Sequence, residues 1–516
     1  MSYVVEKKVG ETVYLYEATS YWDPQKKQSR QTRTYLGKKD PINGEVIPPR
    51  RSRLPRRAKD YGNIYLLQQI AARVGVTSLL QRVFPKEASM LLALGLFEIC
   101  EAAPLYLFPY WVDTTYLDDV KALSSAELTT LTQQLGRMEG EREAFFRQWI
   151  AHCSPVQTIV FDSTSLSSYS NLLNEVEWGY NRDHDHLPQV NLGIVYAEHE
   201  QLPLYYQVYP GSIRDVSTLP NMVHYLEALA LTPNLFVMDR GFYSAANLAA
   251  LTSHSFKFLL PLPRTVTLFA DLLAHHYQTL TALPNSFLFQ DEILCHVQTA
   301  VPLNREPIYA HLYFDPSRHH DQAQRFLTQL WQAEATMHGK TFHQPHEAQQ
   351  ALTAQLKGAT PFFRFTQTAD HVDISRDALA LTRHLAPMGT TILLTNQAEL
   401  DRAQVLRLYR HKDFLEKTFD TLKHECDGQR LRGHSTEAIL GRLFLKFVRL
   451  IVYSALTKTM RTHHVFTHYS VRELLYELKK IRLVEMNNGT HVLTEISKQQ
   501  KQIFTTFEIA VPIAKT

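Results

Sequence analysis

Residues 158–166 read TIVFDSTSL and residues 234–244 read NLFVMDRGFYS. Each is a short apolar run that meets an aspartate, Asp162 in the first and Asp239 in the second. Runs of this length, rich in β-branched and aromatic residues, read as buried strands. Asp162 falls inside its strand, beside Ser163 and Thr164, where an unpaired carboxylate is strongly unfavourable unless it meets a cation. Asp239 follows directly on its run and precedes Gly241, the position at which open α/β sheets form their ligand crevice. Two carboxylates at neighbouring strand ends repel each other, and a hard divalent cation, Mg²⁺ or Mn²⁺ in preference to zinc, relieves that repulsion. Taken singly, either aspartate is equally well a helix cap or an ion-pair partner of Arg240.

The surrounding sequence sets these two strands in an α/β layer. QVNLGIVYA, LPLYYQVYP and FKFLLPL are further apolar strands, and helical patterns follow Asp215 and Ser244. Residues 155–265 therefore run three strands, helix, strand, helix, strand. Outside them, residues 1–57 read as a strand-rich module, with VYLYEATSYW and RQTRTYLG separated by DPQKKQS, ending in a basic proline linker. Residues 58–154 are helical in pattern, residues 266–390 are a second mixed stretch, and residues 391–482 lead from TILLTN into helices, leaving 483–516 as a C-terminal tail.

Composition excludes several classes. The chain has 516 residues, 45% hydrophobic and 20% charged, as expected of an ordinary globular protein with several domains. Its 19 glycines fall into neither G-x-G-x-x-G nor G-x-x-x-x-G-K-[ST], so a dinucleotide fold and a phosphate loop are absent. H-E-x-x-H and G-x-S-x-G are absent too. Cys100, Cys153, Cys295 and Cys426 form no C-x-x-C pair, which points to a reducing cytoplasm, and no apolar run is long enough to suggest a membrane span. Net charge is +3 but uneven: twelve basic residues from Lys26 to Lys59 face only Asp40 and Glu45. That block, with Arg50, Arg51, Arg53, Arg56 and Arg57 at its end, suits an arm along a polyanion; a solvated linker has the same composition.

A third element lies in YRHKDFLEKTFDTLK, residues 409–423. At ~100° per residue, Tyr409, Lys412, Glu416 and Lys423 fall within one stripe ~60° wide, beside an apolar face formed by Leu408, Leu415, Phe419 and Leu422. A carboxylate bordered by cations and a tyrosine suits a metal site facing phosphates, and an amphipathic helix with i,i+4 charge pairs has the same pattern. Asp413 and Asp420 project close enough to the stripe to compete with Glu416 on geometry alone. Glu416 is favoured by its position next to the apolar face and by its longer side chain.

The spacing Tyr-x2-Lys-x3-Glu-x6-Lys resembles the Tyr-Arg-Glu-Lys motif of bacterial insertion-sequence DDE transposases, the IS-four family and its close relatives. IVFDSTS, GYNRDHDHLPQVNLGIVY, YPGSIRD, VMDRGFYS and GTTILLTN resemble that family in the same order, over roughly residues 155–460. The resemblance implies a ribonuclease-H-like core with Asp162, Asp239 and Glu416 as catalytic and metal-binding triad, and residues 266–390 as an insertion subdomain. It further implies two divalent ions, Mg²⁺ or Mn²⁺, and phosphoryl transfer that cleaves transposon ends and joins the freed 3′-hydroxyl to target DNA. The implied partner is double-stranded DNA, both terminal inverted repeats and target, bound by a homodimer. Tyr409, Lys412 and Lys423 are implied to contact DNA. Lys412 departs from the motif, since a lysine lacks the bidentate fork of arginine.

Further features bear on DNA. Arg442, Lys446 and Arg449, at i, i+4 and i+7, read as a basic stripe along the DNA backbone or as snorkelling cations. QQIAARVGVTSLLQRVF, residues 68–84, is compatible with a helix-turn-helix and equally with a plain helix ending at Gly75. Asp183, His184, Asp185 and His186 read as a solvated polar loop more readily than as a transition-metal site. Two other function classes compete: a stand-alone metal-dependent nuclease, and a transposase-derived protein that binds DNA without cutting it.

Overall fold

The computed structural model describes residues 2–23, 27–42, 44–47, 55–168, 176–178, 187–213, 215–229, 231, 235–302, 307–412, 430–431, 435–487 and 489–513. The chain divides into two units: Met1–Leu66 with Val112–Leu117 and Tyr469–Thr516, and Leu67–Trp111 with Asp118–His468.

In the first unit, the strands Ser2–Val9, Thr12–Asp23, Gln28–Lys39 and Val46–Ile47 form an antiparallel sheet in chain order. VYLYEATSYW and RQTRTYLG are neighbours in it, with Tyr21 opposite Arg30. A second sheet sets Arg482–Met486 between His491–Leu493 and Pro55–Asp60. Part of the expected basic linker is therefore strand. Its backbone pairs with Arg482–Met486, and the buried Asp60 at its end is held by Lys479 at 3.5 Å and Arg482 at 3.3 Å. Arg50, Arg51 and Arg53 lie outside the described residues. The expected C-terminal tail is also ordered: a hairpin that turns through Gly489, at φ +81°, leads to the helix Lys498–Thr506, started by a Ser497–Gln500 capping box.

The second unit is built on a ten-stranded mixed sheet. Its order is Ser286–Phe289, Glu292–Val301, Ile308–Phe314, Thr390–Thr395, Phe258–Pro261, Leu235–Met238, Thr158–Ser168, Gln189–Ala197 and Leu202–Pro210. The tenth strand, Arg430–Leu431, pairs with Ser167 and Ser168. Leu235–Met238 is parallel to both its neighbours, Phe258–Pro261 and Thr158–Ser168. Both faces are apolar: Ile159, Phe161, Leu204, Phe236, Val237 and Leu259 are each at most 1% exposed.

The stretch 266–390 is not wholly a separate body, although it leaves the strands of Asp162 and Asp239 paired in one sheet. Three of its strands extend the sheet at one edge, and Tyr309–Phe314 pairs with the whole of Thr390–Thr395. IYAHLYF is buried at six of seven positions, so it needs strand neighbours on both edges. Only its later part forms a cluster of its own. There the helices Pro316–Ala335, Pro345–Gln355 and Ala378–Leu385 and the hairpin Phe363–Gln367 with Val372–Arg376 enclose Leu330, Met337, Leu352 and Phe363.

Helices fill the rest. Thr436–Thr462 is buried at 17 of its 27 positions and crosses Ser125–Arg137 with almost no gap. A Cβ on Gly441 would stand 1.9 Å from the Thr132 carbonyl oxygen, and one on Gly136 would stand 1.9 Å from that of Glu437. Glycine at both positions is what lets the two backbones meet. Phe444 then joins Phe84, Phe145 and Phe146 in an aromatic cluster. Gly75, at φ +88°, joins Gly62–Arg73 to Val76–Val83, and the second of these helices turns Val76, Leu79 and Leu80 inward. Among the described residues no single helix is long and apolar enough to cross a membrane.

Candidate active site

Strand pairing brings the two aspartates level. The parallel register runs from Thr158 opposite Leu235 to Phe161 opposite Met238, so the next residues are Asp162 and Asp239. Asp239 is still extended, at φ −82° and ψ 164°. Adjacent strands lie ~4.8 Å apart, and level residues of a parallel pair project to one face. Leu235–Met238 ends here, and among the described residues the same edge is next taken up by Arg430–Leu431 at Ser167. Among the described residues, no strand pairs with residues 162–166 on that side.

The two carboxylates differ in surroundings. Asp162 is 2% exposed and its Oδ1 accepts the Ser163 N–H at 2.8 Å. The Asp239 side chain is 24% exposed, and its Oδ1 accepts the Arg240 N–H at 2.7 Å, capping the single turn Arg240–Phe242. Packing fixes that turn. The Phe242 ring lies 4.8 Å from that of Phe161, and Asn247 Nδ2 donates to the Phe242 carbonyl at 2.8 Å. Ser244 Oγ accepts the Asn247 N–H at 3.0 Å, starting the helix Ala245–Ser253.

Lys412 completes what is described of the site. It is the last described residue of a helical stretch beginning at residue 402, is 2% exposed, and sets its ammonium 3.1 Å from Asp239 Oδ1. Tyr409, a turn earlier, is half-buried. Neighbouring side chains hold this helix at both flanks: Arg410 pairs with Glu292 at 2.7 Å and lies over the Phe289 ring, and His411 bonds the Glu198 carboxylate. That hydrogen bond holds the His411 imidazole above its usual pKa. Glu416 and Lys423 lie outside the described residues, as do Asp413, Asp420 and the Asp183–His186 run.

The basic residues are dispersed. Arg56 and Arg57 are exposed on the strand Pro55–Asp60, where Arg56 pairs with Glu485 at 3.2 Å. Arg442 and Lys446 are half-buried on the helix Thr436–Thr462. Arg449 corrects the reading of a surface stripe: it is 1% exposed, with its guanidinium over the Tyr453 ring at 5.5 Å. Its helix is buried nearly all round, so helical spacing alone does not bring the residue to solvent. Asn247 and the Glu198–His411 pair support the site without having been singled out in the sequence. The Ser244 cap was the available signal for the first, and nothing local links Glu198 to His411.

The donor chemistry fits a hard divalent cation: two carboxylates level on adjacent strands, one of them already drawing a cation to it. Among the described residues, no group of three His, Cys, Asp or Glu side chains assembles for a metal.

The family model described as transposase DDE domain matches residues 155–452. No curated protein matches the chain. Among solved structures, the chain is similar to a piggyBac transposase synaptic complex with hairpin DNA, at 9% identity and TM-score 0.36, covering 76% of this chain and 69% of that one. It is also similar to a Mos1 transposase paired-end complex with left transposon end, at 9% identity and TM-score 0.14, covering 46% of this chain and 70% of that one. The matched family region spans more than half of the chain and contains both level aspartates and Lys412, and the chain belongs to the DDE transposase family, enzymes that cut and join DNA.

Proposed function

We propose that this chain is the transposase of an insertion sequence, with a ribonuclease-H-like core whose catalytic and metal-binding groups are Asp162, Asp239 and Glu416. The observation that carries the reading is the level placement of Asp162 and Asp239, with the buried Lys412 ammonium against one of them. Two Mg²⁺ or Mn²⁺ ions held by these carboxylates would activate the attacking oxygen and stabilise the leaving oxygen of an in-line displacement. The protein's own groups do the rest. Asp162, buried and oriented by the Ser163 N–H, fixes one donor; the Phe161–Phe242 contact and the Asn247 bond fix Asp239. Lys412 offsets the repulsion between the carboxylates and would donate to a phosphate oxygen held at them.

The partner is double-stranded DNA, as transposon ends and as target, bound by a homodimer. Water cleaves the strand at an end, and the freed 3′-hydroxyl then attacks the target. Tyr409, Lys412 and Lys423 contact the DNA near the site, and Arg50, Arg51, Arg53, Arg56 and Arg57 bind backbone phosphates. The test supplies a duplex carrying the element's terminal repeat, a target plasmid and Mg²⁺. Joined product supports the reading; cleavage without joining would assign a nuclease, and end binding without cleavage would assign an inactive relative.

A further inference from the structure

The N-terminal sheet has two chemically different faces. Its register sets Tyr3 level with Ala18 and Ala18 with Arg33; Tyr16 is level with Tyr35, and Tyr14 lies between Lys7 and Lys38. Side chains alternate along a strand, so these residues share one face with Trp22. Glu6 and Glu17 occupy the alternate positions and face the other way, where Glu6 is taken up by Lys39 at 2.7 Å.

The first face is arranged as a platform. Ala18 lies at its centre and is 0% exposed, because Tyr3 reaches across the middle strand to accept a hydrogen bond from Gln31 Nε2. Arg33 donates to the same Gln31 side chain, at 3.1 Å. The Tyr3 ring is thereby laid over Ala18 while 46% of the residue remains exposed, and Trp22 is 64% exposed. Between strands, Tyr16 and Tyr35 approach to 5.4 Å, and the Lys38 ammonium stands 5.8 Å from the centre of the Tyr14 ring.

We infer that this face binds unpaired DNA, with bases stacked on Tyr3 and Trp22 and phosphates along Lys7, Arg33 and Lys38. Exposed rings interleaved with cations complement a flexible polyanion whose bases are free to stack. A duplex fits poorly: its bases are already stacked on one another, and its major groove admits a helix or a two-stranded ribbon, not the face of a broader sheet. Tyr14 to Trp22 spans ~26 Å, room for a few nucleotides. The inference rests on the transposase reading only in naming DNA, since cleavage at an element's end exposes unpaired strands.

The test is fluorescence anisotropy of the full chain with a labelled oligothymidine of about 15 nucleotides and with a duplex of equal length. Oligothymidine is expected to bind and to quench tryptophan emission, with the quench lost in Trp22→Phe. Tyr3→Ala and Trp22→Ala should each weaken its binding about tenfold or more without weakening the duplex. Glu17→Gln, on the opposite face, should retain binding, and Tyr3→Phe, which keeps the ring but loses the Gln31 bond, should retain more of it than Tyr3→Ala. Circular dichroism verifies that the sheet persists in each variant. Unchanged oligothymidine binding in both alanine variants would overturn the inference, and so would a duplex or an oligouridine bound more tightly through the same two residues. Asp239→Asn, which tests the catalytic reading, should leave oligothymidine binding intact, so the two failures are separable.

Discussion

The ammonium of Lys412, 2% exposed, lies 3.1 Å from Asp239, and Asp239 is level with Asp162 on the adjoining strand. Two carboxylates at neighbouring strand ends repel, and a buried lysine is itself unfavourable without a counter-charge. Each side supplies what the other lacks.

Lys412→Met should therefore destabilise the chain in metal-free buffer by about 2 kcal/mol, less than for a fully buried pair because the Asp239 side chain is 24% exposed. Mg²⁺ should recover more stability in this variant than in the wild type, since the ions take over the neutralising role. Thermal melts with and without Mg²⁺ measure both effects; identical metal-free melts would mean that the pair contributes nothing.

Acid should attack the sheet at a histidine pair. His296 Nε2 and His311 Nδ1 are 3.1 Å apart, and burial depresses their pKa values to about 3 and about 4, with His311 further disfavouring a charge on His296. Both stay neutral when folded, whereas the unfolded chain takes up protons below about pH 6.5. The stability they contribute is complete above that pH and is lost as pH falls toward 4 and 3. His311→Leu should flatten the decline between pH 6.5 and 4 in urea melts; an unchanged slope would place the acid sensitivity elsewhere.

Gly441→Ala and Gly136→Ala should each cost about 3 kcal/mol or more, because either Cβ would stand 1.9 Å from a backbone carbonyl oxygen of the facing helix. Urea unfolding gives the value. A loss under about 1 kcal/mol would mean that the helices separate easily.

The aspartate strands were legible because their information is local: an apolar run, a carboxylate and a turn within about ten residues. Pairing was not. That Ile308–Phe314 adds to the same sheet as Thr158–Ser168 depends on contacts between segments far apart in the chain, which made residues 266–390 read as a body of their own. Arg449 shows the converse limit, since i, i+4, i+7 spacing defines a face but not what covers it. The C-terminal hairpin carried an overlooked signal, Asn488-Gly489 between RLVEM and HVL.

The arginines should separate by setting. Neutralising Arg50, Arg51 and Arg53 should lower the log–log salt slope of duplex binding by up to about 0.9 per lost phosphate contact. Arg56→Gln should change it less, because its guanidinium is already shared with Glu485 at 3.2 Å. Equal slopes for all variants and the wild type would reduce the segment to a connector.

The most direct measurement is Mg²⁺-dependent cleavage of a duplex bearing the terminal repeat, with end binding followed in parallel. Asp162→Asn, Asp239→Asn and Glu416→Gln should each abolish cleavage, by about a thousandfold or more, while binding stays near wild type. Asp413→Asn and Asp420→Asn should keep most of it. Full cleavage by Asp162→Asn or Asp239→Asn would contradict the level carboxylate pair as the catalytic centre, and an active Glu416→Gln beside an inactive Asp420→Asn would contradict the choice of third ligand.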